Sequence, residues 1–270
     1  MHNEVSFPLH AERGAAYLTA PNIAARHAFS TRLGGVSTGV LESLNLSVRR
    51  GDTPENVREN WRRLGAAAGL DLTRAVYAQQ VHSAEVRIAH AADAQPPELE
   101  PRFTCDGFVT NEPGVPLAVF MADCLPALLH DPVAGVIGAV HCGWRGSVAD
   151  ILGAAVAQMC ALGAHPADIR AAVGPAIGPC CFETDGDVPA ALRDALGAQV
   201  EPFISWNGQK YHIDLKSVNA LWLQNAGVRS IDICPDCTYC LPDLYWSHRR
   251  TGLRRGEQAA VICLKGEGTR

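Results

Sequence analysis

The stretch from Val133 to Leu162, VAGVIGAVHCGWRGSVADILGAAVAQMCAL, is the part of the sequence that predicts the fold class most directly. Its first part, up to His141, is an almost continuous apolar run of strand length, which is typical of a strand buried on both faces. Its second part carries apolar residues at helical spacing, and Ser147 is a suitable N-cap for a helix that ends at Leu162. A buried strand that leads through a glycine turn into a helix is typical of mixed α/β proteins.

Strand and helix patterns alternate on both sides of this stretch. Residues 53–69 predict a helix, since Thr53 is a good N-cap and Pro54 stands at the first helical position. The other expected strands are residues 25–30, 74–81, 84–89, 116–121, 169–173, 230–233 and 258–264, and the other expected helices are residues 187–196 and 214–227. No repeat or linker divides the chain, so we expect one domain of mixed α/β class over residues 1–270.

The composition is that of a globular protein without an excess of positive charge. Of the 270 residues, 47% are hydrophobic and 19% are charged, and the formal net charge is −5. A disordered chain and a broadly basic nucleic-acid-binding surface are therefore disfavoured. No apolar run approaches the roughly 20 residues that span a bilayer, and residues 1–13 lack an apolar signal core. We expect a cytoplasmic protein that binds neither nucleic acid nor a membrane.

Ten cysteines in a chain without an expected secretion signal need an explanation other than a disulfide framework. Cys234, Cys237 and Cys240 resemble half of a zinc knuckle, and Cys180 and Cys181 are adjacent. A structural zinc site needs four ligands, and the sequence has no second, separate Cys-x-x-Cys pair. Buried thiols or an adventitious disulfide are therefore favoured over zinc at these three cysteines.

Two histidines and a cysteine stand near the ends of expected strands, namely His82, Cys124 and His141. Two imidazoles and one thiolate suit a catalytic zinc site, in which the fourth position stays open for water or substrate. The same residues also suit a Cys124 nucleophile with His141 as its base and Asp123 as the orienting group. Buried histidines with a buried thiol are the third interpretation, and sequence spacing alone does not separate the three.

Two glycine-containing turns offer backbone amides and an arginine to an anion. Residues 30–37, STRLGGVS, contain Arg32, and residues 141–147, HCGWRGS, contain Arg145 in front of the expected helix. Neither turn is a Walker loop or a dinucleotide-binding fingerprint, and two tight turns with solvated arginines are the alternative. Glu183 is a candidate acid or base, against the alternative of an exposed glutamate.

A series of short motifs occurs in a fixed order along the chain. They are FSTRLGGVS at residues 29–37, NL at 45–46, GD at 51–52, QVH at 80–82, DG at 106–107, ADCLP at 122–126, HCGWRG at 141–146, GPAIGPCCFE at 174–183 and SHRR at 247–250. Together they resemble the laccase-domain or multicopper polyphenol oxidase family, also described as zinc-dependent purine nucleoside phosphorylases. The resemblance covers about residues 25–266. At Cys142 the chain departs from the family, which usually has a small residue such as alanine there.

The resemblance implies a fold, a reaction and a metal site. The implied fold is a four-layer α/β/β/α sandwich, similar to that of toxin-type cysteine hydrolases. The implied activity is cleavage of adenosine, inosine and S-methyl-5′-thioadenosine with phosphate, together with deamination of adenosine. The implied zinc ligands are His82, Cys124 and His141. The expected catalytic residues are Cys124, His141 and Asp123, and the expected substrate-binding residues are Arg32, Ser30, Asn45, Arg145 and Glu183.

Other functions stay open at the level of sequence. The older family name suggests a copper-dependent polyphenol oxidase (laccase), and two histidines with a cysteine also suit copper. However, a multicopper oxidase needs many paired histidines, and no His-x-His occurs among the ten histidines. A metal-free hydrolase that uses Cys124 and His141 on a cell-wall precursor is a second alternative, and a non-enzymatic binding module is a third. The zinc-dependent phosphorylase is the leading hypothesis.

Overall fold

The computed structural model describes residues 3–11 and 14–266, so Met1, His2, Glu12 and Arg13 of the N-terminal stretch considered above lie outside it. Among these residues, no helix has the length and apolar character that crossing a bilayer requires. The helices are α1 (Pro54–Ala68), α2 (Trp144–Val148), α3 (Ile151–Ala161), α4 (Asp187–Leu196), α5 (Leu215–Asn225) and α6 (His248–Thr251). The strands are β1 (Asn3–Glu4), β2 (Leu9–His10), β3 (Tyr17–Leu18), β4 (Arg26–Ser30), β5 (Ala78–Gln79), β6 (Val86–Ile88), β7 (Phe103–Thr104), β8 (Gly107–Thr110), β9 (Leu117–Met121), β10 (Leu125–Asp131), β11 (Val136–Cys142), β12 (Arg170–Val173), β13 (Glu183–Thr184), β14 (Ile204–Trp206), β15 (Tyr211–Ile213), β16 (Ser230–Ile233) and β17 (Gln258–Cys263).

Most strands belong to two large sheets. The seven-stranded sheet has the order β1-β16-β12-β10-β11-β8-β6, and the five-stranded sheet has the order β2-β3-β4-β17-β9. The antiparallel pair β10 and β11 occupies the middle of the larger sheet, with Pro126 opposite His141. Two smaller sheets are β13-β15-β14 and β5-β7. Because neighbouring strands are seldom consecutive in the chain, residues far apart in sequence meet at the same sheet edge.

The two large sheets stack face to face, and each is covered by helices on its outer side. Phe29 and Leu117 of the smaller sheet pack with Leu128 and Ile137 of the larger sheet in the layer between them. Helices α3 and α5 cover the outer face of the larger sheet, and α1 covers that of the smaller sheet through Trp61. This confirms the mixed α/β class expected from the sequence pattern and the four-layer α/β/β/α order implied by the family resemblance.

The pleat of β11 places one imidazole beside the layer between the sheets. Every residue of β11 is buried. Ile137 and Ala139 belong to the core between the sheets, whereas Val140 and Cys142 pack with α3 on the other face, because successive side chains of a strand alternate. His141 therefore shares the face of Ile137 and Ala139, at the end of the strand.

The helix after β11 differs from the sequence prediction. The prediction of one helix over residues 147–162 with Ser147 as its N-cap was wrong. Helix α2 already begins at Trp144, and the buried hydroxyl of Ser147 pairs with the side chain of Asn219. Asp150 separates α2 from α3 with a left-handed φ of 54°. Its carboxylate accepts from the amide of Gly153, so Asp150 caps the second helix.

Most other predicted elements are confirmed. Thr53 caps α1 through the amide of Asn56, as its position predicted. Of the expected strands 74–81 and 84–89, residues 78–79 and 86–88 form β5 and β6. The strand β10 was not predicted, because Pro126 suggested a break in the apolar run. Pro126 lies at the second position of β10, near the strand's start, where a proline ring is tolerated.

Candidate metal centre and substrate cavity

Two loops and a strand bring two imidazoles and a thiol together where the large sheets meet. His82 follows β5, Cys124 lies in the turn that crosses from β9 of the smaller sheet to β10 of the larger, and His141 is the second-last residue of β11. One nitrogen of each ring and the sulfur all lie within 4.8 Å of one another. The two rings are 5.0 Å apart between centroids and nearly perpendicular. We call these three residues the His-Cys-His cluster.

Two of the turns contain a strained residue next to or within the cluster. The φ angles are 61° at His82 and 84° at Asp123, in the left-handed region that non-glycine residues rarely adopt. Such a conformation costs roughly 1–3 kcal/mol and persists where the surroundings hold it. The amides of Val81, His82 and Ser83 all donate to the carboxylate of Asp106, which fixes the His82 turn.

Asp106 also orients His141. Its Oδ1 lies 2.9 Å from Nδ1 of His141, and Ser83 donates its hydroxyl to Oδ2 at 2.7 Å. Burial would raise the pKa of Asp106, but the hydrogen bonds from His141 and Ser83 lower it to about 2. A carboxylate on one ring nitrogen leaves the other free, which is the usual support of a metal-binding histidine.

The electrostatics of the cluster favour a positive charge at its centre. Burial would lower the pKa of His141, but its interactions with the adjacent Cys124 and Asp106 side chains raise it to about 9. The pKa of His82 is lowered by its burial and by the charge of His141. Positive charge on one ring disfavours positive charge on the other. A single cation at the centre, bound to two neutral imidazoles and a thiolate, avoids this repulsion between the two rings.

The residues present fit a zinc ion. Nδ1 of His82 is buried without a hydrogen-bond partner, which is costly for an imidazole that serves no ligand. Gly143 is what allows this ring position, since a Cβ at residue 143 would lie 2.0 Å from that nitrogen. Two imidazoles and a thiolate are preferred zinc donors, and three protein ligands leave one position open. Within residues 3–11 and 14–266 there is no second histidine cluster of the kind that a multicopper centre needs.

Asp123 adjoins Cys124, but its carboxylate is engaged in holding loops. Oδ1 accepts from the hydroxyl of Thr238 at 2.6 Å, and Oδ2 accepts from the hydroxyl of Ser247 and the amide of Arg249 at 3.0 and 2.6 Å. With both oxygens occupied, Asp123 positions the turn that carries Cys124. These contacts do not support the catalytic role expected for it from the sequence.

Two cavities meet at the cluster. One, of about 300 Å³, extends past Tyr77 and Phe120, and the other, of about 390 Å³, extends past Trp144 and Phe182. Both volumes lie at the lower end of the range of small-molecule sites, about 300–1,000 Å³. The residues that line both cavities are Arg50, His82, Ala122, Cys124 and Arg255.

Two arginines share one carboxylate where the cavities meet. Arg50 pairs with Glu257, and Nη1 of Arg255 lies 3.4 Å from the same Oε1. Burial would raise the pKa of Glu257, but the charges of Arg50 and Arg255 outweigh it and lower the pKa. The Nε atoms of both arginines are buried without a partner. Two guanidinium groups with one carboxylate leave net positive charge and spare donors beside the cluster, which suits an anion.

The structure does not bring Arg32 to these cavities. Its guanidinium donates to the carbonyl oxygens of Pro242 and Glu42 at 3.0 and 2.9 Å and stacks over the ring of Trp246 at 3.9 Å. Arg32 lines neither cavity that reaches Cys124. These contacts show that Arg32 connects the segments around Glu42, Pro242 and Trp246. They do not support the expectation that Arg32 binds phosphate.

The glycine turn of residues 30–37 is likewise not an anion cradle. The amide of Gly35 donates to the hydroxyl of Ser43 at 2.7 Å, and the amide of Val36 donates to the side chain of Asn60 at 2.8 Å. A Cβ at residue 35 would lie 2.1 Å from the carbonyl oxygen of Ser43, so this glycine permits a close chain crossing.

Ser30 and Asn45 are both buried and hold the backbone. The hydroxyl of Ser30 accepts from the amide of Ala259 at 3.0 Å. Asn45 accepts from the amide of Glu257 at 3.1 Å and donates to Asp52 at 2.9 Å. Asn45 therefore holds the backbone of Glu257, whose carboxylate lies between the two arginines. Neither Ser30 nor Asn45 lines the cavities.

Arg145 and Glu183 lie on the exposed surface near the larger cavity. The guanidinium of Arg145 covers the ring of Trp144 at 4.3 Å. The carboxylate of Glu183 is half exposed and lies 3.5 Å from Nε2 of His212. Neither lines a cavity that contains Cys124, so Glu183 matches the alternative of an exposed glutamate.

Sequence reasoning missed the residues that support the ligands and line the cavities. Asp106 appeared only as part of the DG motif at residues 106–107, and the sequence assigned it no role. Arg50 and Arg255 gave no local signal, because each is an ordinary charged residue until the fold pairs it with Glu257. Trp144 was noted within a turn, and its place on the cavity wall follows from the early start of α2.

The fold and the site together define a class, namely α/β/β/α sandwich proteins with a His-Cys-His cluster at the junction of two sheets. Residues 26–265 match the family described as "Multi-copper polyphenol oxidoreductase laccase". The chain belongs to this family.

Curated relatives in this family are named for a different reaction. The chain is 43% identical over 252 residues to "Purine nucleoside phosphorylase" of Deinococcus radiodurans, covering 93% of this chain and 94% of the relative. It is 36% identical over 248 residues to "Purine nucleoside phosphorylase YlmD" of Geobacillus stearothermophilus, covering 89% and 90%. The crystal structure of YlmD from that organism has a TM-score of 0.88 at 35% identity, covering 96% of this chain and 99% of that chain.

Proposed function

We propose that this protein is a cytoplasmic, zinc-dependent purine nucleoside phosphorylase that acts on adenosine, inosine and S-methyl-5′-thioadenosine. The names of its relatives support the reaction class. The observation that carries the proposal is the junction of two cavities at His82 and Cys124, beside Arg50 and Arg255. Phosphorolysis needs an anion subsite next to a nucleoside subsite, and the two arginines and the larger cavity at this junction suit these two roles.

In the proposal, phosphate binds between the two arginines. Arg50 and Arg255 each carry a buried Nε–H without a partner, and Glu257 balances only one of the two charges. A guanidinium binds phosphate oxygens in a bidentate geometry that lysine does not reproduce. These arginines replace Arg32 and Arg145 of the sequence-based expectation as the phosphate ligands.

The larger cavity suits the purine nucleoside. Trp144 and Phe182 are half-buried in its wall, and Ile177 is buried beside them. Aromatic faces bind nucleobases by stacking, at about 1–3 kcal/mol per base. The ribose then lies at the junction, within reach of phosphate held by the arginines.

The His-Cys-His cluster would hold zinc in this proposal. A zinc ion bound there supplies a Lewis acid beside the reacting groups. Asp106 keeps the ring of His141 in position, and Asp123 keeps the Cys124 turn in position. Cys124 and His141 thus act as ligands rather than as a nucleophile and its base.

The reaction balances with phosphate as the only co-substrate. An oxygen of hydrogen phosphate forms a bond to C1′ of the ribose, and the bond from C1′ to N9 of the purine breaks. The electron pair of that bond leaves with the purine, and the proton from phosphate ends on the base. The products are the free base and ribose 1-phosphate.

The test is turnover of inosine with phosphate, measured as hypoxanthine by chromatography and as sugar phosphate by phosphorus NMR. We expect Arg255→Lys to raise the KM for phosphate about tenfold to a hundredfold, because a hydrogen bond to a charged group contributes about 1.5–3 kcal/mol. Arg32→Lys is the matched control and should leave this KM unchanged, since Arg32 lies outside both cavities. Phosphate-independent release of base, or equal effects of the two changes, would contradict the proposal.

A second pair of variants tests the ligands. Cys124→Ala should abolish turnover and release the cluster's zinc, whereas Cys142→Ala, on the opposite face of the adjacent strand, should keep both. A Cys124→Ala protein that keeps its zinc but loses turnover would favour the Cys–His hydrolase chemistry instead. Copper in place of zinc, with oxidation of phenols, would favour the oxidase.

We also propose deamination of adenosine in the same cavity, as the family resemblance implies. Adenosine and water give inosine and ammonia without phosphate. Ammonia release from adenosine in phosphate-free buffer tests this part, and Arg255→Lys should affect it less than phosphorolysis. Phosphorolysis without any ammonia release would refute the deaminase activity alone.

A further inference from the structure

Four cysteines from two loops distant in sequence meet near the Cys124 turn. The Sγ atoms of Cys180, Cys181, Cys237 and Cys240 all lie within 4.8 Å of one another. The sequence analysis grouped Cys237 and Cys240 with Cys234 and lacked a fourth ligand. The fold leaves Cys234 out of the group and adds the adjacent pair Cys180 and Cys181 instead. We call these four residues the four-cysteine cluster.

The spacing of the sulfurs suits a shared metal ion. Sγ of Cys240 lies 3.4 Å from that of Cys181 and 3.7 Å from that of Cys180. Four sulfurs around zinc, each at about 2.3 Å in a tetrahedron, are about 3.8 Å apart. A disulfide needs its sulfurs at about 2.05 Å, and the four cysteines are free thiols in the structure.

Backbone amides converge on one of the sulfurs. The amide of Gly178 donates to Sγ of Cys237 at 3.2 Å, and the amides of Tyr239 and Cys240 also lie against that sulfur. Amides that point at sulfur stabilise its thiolate form, which is the form that binds a metal. The loop is therefore built for a charged sulfur at Cys237.

A buried cation lies under the same loop. Nζ of Lys216 donates to the carbonyl oxygens of Cys234 and Asp236, both at 2.7 Å, and its side chain is buried. Four thiolates around a divalent ion carry a net charge of −2. The buried ammonium of Lys216, which contacts the backbone next to Cys237, offsets part of that charge.

We propose that the four-cysteine cluster binds a structural zinc ion, in addition to the ion at the His-Cys-His cluster. Each thiol gives up its proton as it binds. A tetrahedral set of four sulfurs suits zinc or iron. Cys180 and Cys240 are exposed to solvent, and redox-inert zinc is stable at an exposed thiolate site where ferrous iron is open to oxidation.

The bound ion joins two segments of the cavity wall. Thr238, between two of the cysteines, donates to Asp123 beside the ligand Cys124. Phe182, next to Cys181, lines the larger cavity, and Arg249 donates to the carbonyl oxygen of Cys181 at 3.3 Å. The second zinc therefore fixes the wall of the cavity from outside, without touching a substrate.

The test is the metal content of the full chain, purified under reducing conditions and measured by mass spectrometry. We expect two zinc ions per wild-type chain, one in Cys240→Ser, one in Cys124→Ala and none in the double variant. Cys160→Ser, a half-buried cysteine outside both clusters, is the matched control and should keep two. Cys240→His should also keep two, because imidazole replaces a thiolate as a zinc ligand.

Three results would overturn the proposal. The first is equal zinc content in wild type and Cys240→Ser. The second is iron instead of zinc at the four-cysteine cluster. The third is that the four cysteines of this cluster resist alkylation in the freshly isolated protein because they form disulfides. If Cys240→Ser does not fold, cobalt added to the stripped wild-type chain should give the charge-transfer band of a tetrathiolate, and its absence would also refute the site. Because Cys124→Ala removes only the other ion, the result does not depend on the proposed reaction.

Discussion

Asp106 accepts hydrogen bonds from three consecutive backbone amides of the His82 turn and from the ring of His141. One carboxylate therefore fixes two of the three residues of the His-Cys-His cluster. It does so from outside the cavity, since it does not line the space where a substrate would bind. Its contribution should appear in metal affinity before it appears in substrate affinity.

We expect Asp106→Asn to lower zinc affinity about tenfold to a hundredfold, because an amide cannot accept from all these donors at once. Competition with a chromophoric chelator measures this affinity. Asp131→Asn is the matched control, since Asp131, the last residue of β10, is also buried and also accepts from three backbone amides, those of Val133, Ala134 and His165. Equal zinc affinity in the two variants would show that Asp106 does not support the ligands.

Residue identity pointed to the three residues of the His-Cys-His cluster but not to their surroundings. His82, Cys124 and His141 stood out because imidazole and thiolate are uncommon at strand ends, and the fold brings them together. Arg32 stood out for its glycine neighbours, yet its donors bind backbone carbonyls. An arginine's partner depends on which loop packs over it, and a local pattern does not contain that information.

At the level of elements, the strand-turn-helix unit from β11 to α2 carries the site. Gly143 is the first residue after β11, and its Cα packs against the ring of His82 from another loop. The glycine is needed for space rather than for conformation, since its φ of −67° suits any residue.

Gly143→Ala should displace the ring of His82 and release the zinc of the His-Cys-His cluster while the chain stays folded. The added Cβ would lie 2.0 Å from Nδ1. Gly186→Ala is the matched control, because that glycine has a φ of −71° and a Cβ there would meet its nearest neighbour at 3.9 Å. Metal analysis with circular dichroism checks both, and full zinc content in Gly143→Ala would contradict the geometry.

Element boundaries were predictable where local chemistry decides them. Thr53 and Gly69 mark α1 because capping needs only neighbouring residues. The break between α2 and α3 was not predictable, since Asp150 takes over the cap while Ser147 is turned inward to Asn219 of α5. The predicted strands of residues 74–89 are short because their hydrogen bonds depend on partners 20 or more residues away.

Across the whole molecule, the two stacked sheets bring together the His-Cys-His cluster from three separate parts of the chain. The sequence could predict an α/β class from alternation, whereas the layer order came from the family resemblance. The strand order required the structure, because β8, β10, β11 and β12 pair out of sequence. The four-cysteine cluster escaped prediction for the same reason, as Cys181 and Cys240 meet only after folding.

Glu257 links the N-terminal and C-terminal parts of the chain through Arg50, and this link should depend on pH. Because the pKa of Glu257 is lowered in the folded state, its carboxylate stabilises the fold above its unfolded pKa of about 4.3, and this stability is lost as the pH falls below that value. Glu257→Gln should cost about 3 kcal/mol of unfolding free energy near pH 7. The difference from wild type should shrink as the pH falls below the unfolded pKa of Glu257.

Urea unfolding of wild type and variant across this range gives the measurement. Glu59→Gln is the control, since Glu59 pairs with Arg62 and Arg63 on the exposed face of α1 and should change stability far less. A Glu257→Gln effect that stays constant from neutral to acidic pH would show that the carboxylate charge is not what stabilises this link.

The identity of the metal at His82, Cys124 and His141 is the claim on which the proposed reaction rests. Crystals of the protein, purified without added metal, can be measured with X-rays just above and just below the zinc absorption edge. We predict an anomalous peak among the two imidazoles and the thiolate that disappears below the zinc edge. A peak that persists down to the copper edge and then disappears, or no peak at this position, would contradict the account.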